Sequence, residues 1–154
     1  MSTPTADDLT TIDGIITALY DSISGPAELK RDLTRFRTLF AEGARLIPVR
    51  PAPDGSVAAQ VLDVDEFFRI ASENFKIAGF FEREIARPRT DTFGRITHVL
   101  STYESLRSAS DPQPFARGVN SIQLFHDGTR YHVVTIFWDF ERPDNPIPAE
   151  YLPR

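Results

Sequence analysis

The chain has 154 residues, with 22 acidic against 17 basic side chains and a net charge of −5 when its three histidines are neutral. Hydrophobic residues make up 41% of it and include 12 Phe, enough to bury one core, which excludes a disordered chain. The acidic balance without a basic block argues against nucleic-acid and anionic-membrane partners, and the lack of cysteine removes disulfides, thiolate catalysis and cysteine-based zinc sites.

The first residues, MSTPTADDLTT, have no basic start and no apolar run, so no signal peptide is expected. No segment reaches the roughly 20 apolar residues of a membrane span, and a cytoplasmic location is expected. Asp7 or Asp8 can cap a first helix, in which Leu9, Ile12, Ile16, Leu19, Tyr20 and Ile23 recur at helical spacing. SGPAE (24–28) breaks it. Leu29, Leu33, Phe36, Leu39 and Phe40 form the stripe of a short second helix, with Gly43 suited to a left-handed C-cap. RLIPVR (45–50) predicts a strand, placed at an edge by Pro48, and 51–60 a loop. Asp63 or Asp65 opens a third helix along Val64, Phe67, Phe68, Ile70, Ala71 and Phe75.

Strands are expected over 79–94, 96–108, 115–125 and 131–141, the last two joined at Asp127-Gly128. A Pro-rich tail, 142–154, is expected to lie irregularly on the surface, pegged by Ile147, Tyr151 and Leu152. Strands linked by short turns make an antiparallel sheet, and helices that precede it must cover one face, so the fold class is α+β in one domain.

Three phrases carry a resemblance: RFRTLFAEGARL (35–46), HDGTRYHVV (126–134) and TIFWD (135–139). With the element order over residues 7–141, the chain resembles the nuclear transport factor two-like superfamily, which includes ketosteroid isomerases, scytalone dehydratase and SnoaL-like cyclases. The resemblance implies a cone-shaped curved sheet, three helices on its concave face, and a cavity lined by strand side chains. It also implies homodimerisation through the convex face. The ketosteroid isomerase acids are not carried over. The places of the general base and the second acid fall at Pro48 and Ile122, while Tyr20 loosely matches the helix-one tyrosine.

ITHVLSTYESL (96–106) is polar on both faces, which a merely structural strand does not need. His98 is the acid/base candidate by chemistry, and the alternative is a satisfied core or interface histidine. Tyr103 lies on the opposite face. The resemblance favours Tyr103 inward with Ser101 and Val99, and His98 outward. Asn120 needs a reason within a strand, either a ligand contact or a backbone bridge near Gly118. Trp138 and Asp139 suit a cavity mouth, Phe36 an aromatic lining, and Arg50 or Arg117 an acidic ligand. Glu82, Arg83, Glu84, Arg87 and Arg89 read as a solvated alternating face.

No histidine spacing suits a metal and no nucleotide-binding glycine motif occurs, so neither metal nor cofactor is expected. The expected function is binding of a small apolar or aromatic molecule, with acid/base isomerase, cyclase or dehydratase chemistry on a ring-bearing substrate. The alternative is a non-catalytic dimeric interaction domain.

Overall fold

The computed structural model describes residues 8–154. Helix α1, Ile12–Ile23, is capped by Thr11, whose hydroxyl accepts from the Gly14 N–H at 3.0 Å. Asp8 instead bonds Thr10, and the alternative cap Asp7 lies outside the described residues. Helix α2, Leu33–Thr38, is shorter than its apolar stripe, because Leu39 is already its C-cap and Phe40 begins strand β1, Phe40–Pro51. Gly43, at φ +77°, therefore serves a bulge in β1 rather than a helix end. Residues Val57–Ala59 form a short β2 antiparallel to the end of β1.

Helix α3, Val64–Phe75, opens with a reciprocal cap. The Glu66 N–H donates to Asp63 Oδ1 at 2.8 Å, and the Asp63 N–H donates to Glu66 Oε1 at 3.1 Å. Four long strands follow: β3 Phe81–Phe93, β4 Ile96–Leu106, β5 Ala116–His126 and β6 Tyr131–Phe140.

The sheet order is β2-β1-β6-β5-β4-β3. Strands β3 to β6 form the expected antiparallel meander, while β1 runs parallel to β6. The exception follows from connectivity. Parallel neighbours need a long crossover, and everything from β2 to β5 lies between these two. β1 thus has neighbours on both sides, and Pro48 is buried opposite Trp138 instead of marking an edge. This is an α+β fold with a curved open sheet and helices on one face.

The core joins Ile15, Ile16 and Leu19 of α1 and Phe36 of α2 to Val99, Ile122, Leu124 and Val133 of the sheet. Arg31 ties the α1–α2 connection to β3, donating to carbonyls of Ile23, Pro26, Gly25, Leu29 and Phe80. The tail is less irregular than expected, ending in a 3-10 turn at Ala149–Tyr151. It crosses the outer face of the sheet, where the buried Thr102 donates to the Tyr151 carbonyl at 2.7 Å.

Candidate active site

Between the helices and the inner face of the sheet lies a cavity of about 310 Å³. Helices supply Leu19, Tyr20, Phe36, Phe67, Ala71 and Phe75 to its wall. The sheet supplies Glu82, Tyr103, Ser105, Asn120, Ile136 and Trp138. The lining is largely apolar, with few polar groups, as small-molecule sites usually are. Strand alternation decides which polar groups enter. Thr97, Val99, Ser101, Tyr103 and Ser105 of β4 are all buried inward, and His98, Leu100 and Glu104 lie on the other face.

The groups named from sequence therefore divide. Tyr20, Phe36, Tyr103, Asn120 and Trp138 meet in the cavity wall, and Ser101 sits beside them, bonded to Tyr20. His98 does not reach it. Its Nε2 lies 2.8 Å from Ser121 Oγ on the outer face, so the histidine is placed away from the cavity. Arg117 forms a bidentate pair with Glu141 at 2.7 and 2.8 Å. Asp139 accepts from Arg142 at 2.7 Å, which holds its carboxyl below the usual range. Both are outer-face residues that anchor the tail side of the sheet.

Two carboxyls correct the reading of 82–89 as a solvated face. Glu82 and Glu84 point inward opposite Ser105 and Tyr103, while Arg83 turns outward to Glu104. Glu82 lines the cavity. Its Oε2 accepts from Ser105 Oγ at 3.1 Å, and among the described residues no cation pairs with it. Burial pushes this carboxyl up to about 7, against a smaller downward pull from the Ser105 hydroxyl. Such a group changes protonation near neutral pH, the property of a general base.

Glu84 is used differently. Arg87 donates to it at 2.9 Å and also pairs with Asp13. Ser101 Oγ donates to Glu84 Oε2 at 2.5 Å. The serine's one proton being committed, Ser101 must accept from the Tyr20 hydroxyl, 2.7 Å away. Asn120 Nδ2 in turn donates to Tyr20 at 2.9 Å. Asn120 thus has both a hydrogen-bonding reason and a cavity position. Burial and the charge of Glu82 hold the Tyr20 phenol well above its ordinary range.

Tyr103 is only 3% exposed; no buried side-chain polar atom among the described residues lacks a partner, and its hydroxyl, which makes no hydrogen bond among them, is the part of the side chain open to the cavity. Burial first, then the Glu82 charge, keep it protonated across the whole working pH range. Its phenol is a donor held against the cavity, with no acceptor among the described residues. Gly118 makes room for it, since a Cβ there would fall 2.5 Å from the Tyr103 hydroxyl and from the Asp139 carbonyl oxygen.

No family model matches the chain, and no curated protein matches it in sequence. Solved structures match it in fold. A cystatin-like protein of unknown function from Nostoc punctiforme has a TM-score of 0.63 at 10% identity, covering 86% of this chain and 90% of that one. A candidate dehydratase of the nuclear transport factor two-like family from Streptomyces avermitilis has a TM-score of 0.60 at 12% identity, covering 88% and 96%. A nuclear transport factor two-like protein of unknown function from Shewanella baltica has a TM-score of 0.53 at 13% identity, covering 83% and 89%. The chain shares the cystatin-like, nuclear transport factor two-like fold.

Proposed function

We propose that the protein binds a small, ring-bearing apolar molecule in its cavity and transfers a proton on it, with Glu82 as the base and Tyr103 as the donor. The observation that carries this is an inward carboxyl with no cation paired to it among the described residues, held near neutrality by burial, beside a phenol that makes no hydrogen bond among them. In the simplest step, the Glu82 carboxylate takes a proton from carbon next to a carbonyl. The electron pair moves onto the carbonyl oxygen, which accepts from the Tyr103 O–H. Returning the proton elsewhere gives an isomerisation, and losing a neighbouring hydroxyl as water gives a dehydration. Tyr20 holds the wall in place, since its proton is directed to Ser101.

Hydrogen–deuterium exchange at the ring-ketone position of tetralone, followed by NMR in deuterated water, tests the step. Wild-type protein should catalyse exchange, and Glu82→Gln should abolish it. Equal exchange by both would remove Glu82 from the role.

The second expectation, a homodimer through the outer face of the sheet, is supported by apolar groups left uncovered there. Phe125, Phe137 and Ile96 are 39%, 43% and 63% exposed. Sedimentation at micromolar protein tests it, with a single monomeric species as the contrary result.

A further inference from the structure

Five of the six strands share one end of the sheet with the cavity. β1 and β6 end there, β5 begins there, β4 ends there and β3 begins there, as the pairings of Pro48 with Trp138, Gly118 with Phe140, Ser105 with Ala116 and Phe81 with Leu106 require. Two arginines stand at this end and line the cavity: Arg50, near the end of β1, and Arg107, just past β4.

Seven of the thirteen other arginines pair with a carboxylate. Among them, Arg37 has Asp65, Arg83 has Glu104, Arg87 has Glu84, Arg117 has Glu141 and Arg142 has Asp139. Arg50 and Arg107 have none among the described residues. Arg50 donates only to the neutral Gln60 at 3.2 Å, and Arg107 makes one 3.5 Å bond to the Gly79 carbonyl. Each guanidinium is instead held against a ring, Arg107 at 3.7 Å over Phe115 and Arg50 at 5.8 Å over Phe140. A guanidinium laid on an aromatic face keeps its in-plane N–H groups free for a planar acceptor.

These charges do not serve Glu82. Its carboxyl responds to burial and to Ser105, with no lowering by an arginine. Arg50 acts on the phenol instead, where its charge pulls down on Tyr103. The cavity therefore has an apolar middle, Glu82 and Tyr103 on its sheet wall, and at one end two arginines that no carboxylate pairs among the described residues.

Resting on the proposal that this cavity is a ligand site, we infer that its ligand carries an anionic oxyacid group, a carboxylate or a phosphate. That group is bound at the strand-end mouth by Arg50 and Arg107, with the ring body inside. The class of substrate is thus an amphipathic ring acid rather than a neutral hydrocarbon or sterol-like molecule. The head group fixes which ring carbon faces Glu82 and Tyr103.

Titration calorimetry with naphthoate, naphthyl phosphate and neutral naphthamide tests this on the intact protein. At least one of the two anions should bind about tenfold or more tighter than naphthamide, the scale of a charge-assisted guanidinium contact. Whichever anion binds better identifies the head group. Arg50→Gln and Arg107→Gln should each weaken that anion and leave naphthamide unchanged. Glu82→Gln should preserve the preference for the anion, which separates this inference from the catalytic one. Naphthamide binding as well as both anions would overturn the anionic class while leaving the cavity as a ligand site. A preference that survives both arginine variants would overturn the assignment to this mouth. Binding by none of the three would overturn both.

Discussion

Glu82 sits where a stability-minded sequence would place an apolar residue. Its carboxyl is raised from 4.5 to about 7 by burial, so the folded state holds a proton that the unfolded chain has released. The sign follows directly. The group causes no loss below its unfolded value, and stability falls as pH rises from about 4.5 through about 7. Glu82→Gln removes that loss and keeps an acceptor for Ser105. Denaturant melts should find the variant close to wild type near pH ~4 and more stable by up to roughly 3 kcal/mol near pH ~8. Equal stability at both pH values would mean the carboxyl is solvated. Tyr103→Phe removes one hydroxyl from the cavity and should weaken binding of an oxygen-bearing ring ligand by roughly 5- to 50-fold, as measured by calorimetry, without altering assembly. His98→Ala, on the opposite face, should leave ligand binding intact. Loss of binding there would reverse the assignment of faces. Gly118→Ala forces the Tyr103 ring aside and should both lower the melting temperature and impair binding.

At the scale of elements, what was legible was pattern and what was not was partnership. The apolar periods of α1 and α3, the strands and the Asp127-Gly128 turn follow from local chemistry, and Asp127 does accept from the Thr129 and Arg130 N–H groups at 2.7 and 2.9 Å. The parallel pairing of β1 with β6 was not legible, because it joins segments separated by most of the chain. The inward turn of Glu82 was hidden by charges on both sides of β3. The signal was nevertheless present in register. Counting back from the turn at Gly94, Phe93 pairs with Ile96 and Arg89 with Leu100. Continued without interruption, that register sets the even-numbered residues of β3 on the face of Ser105 and Tyr103. Two irregularities, at Ala86/Arg89 and Glu84/Ala86, shift the pairing in total by two residues, so parity survives and Glu82 meets Ser105. Packing of α2 gives a separate check. Phe36 is 2% exposed and touches the rings of Phe40, Phe67 and Phe68. Phe36→Ala should cost about 3–5 kcal/mol in chemical denaturation. A loss under about 1 kcal/mol would show that this helix is not seated on the core.

On the scale of the whole molecule, the two faces of the sheet carry different sets of groups. The inner face gathers Tyr20, Ser101, Tyr103, Asn120 and the two carboxyls around the cavity. The outer face carries His98, Arg117 and Asp139, the crossing tail, and the exposed Phe125 and Phe137. No helix among the described residues is long and apolar enough to cross a membrane. A fold shared with structures of such low identity leaves function to the site itself, and the function proposed for this chain turns on one carboxyl. The most direct measurement is a carboxyl-detected NMR titration of Glu82, assigned by loss of its signal in Glu82→Gln. With Glu82 buried against the cavity its midpoint falls near 7, and a midpoint near the ordinary 4.5 would remove it from the role of base.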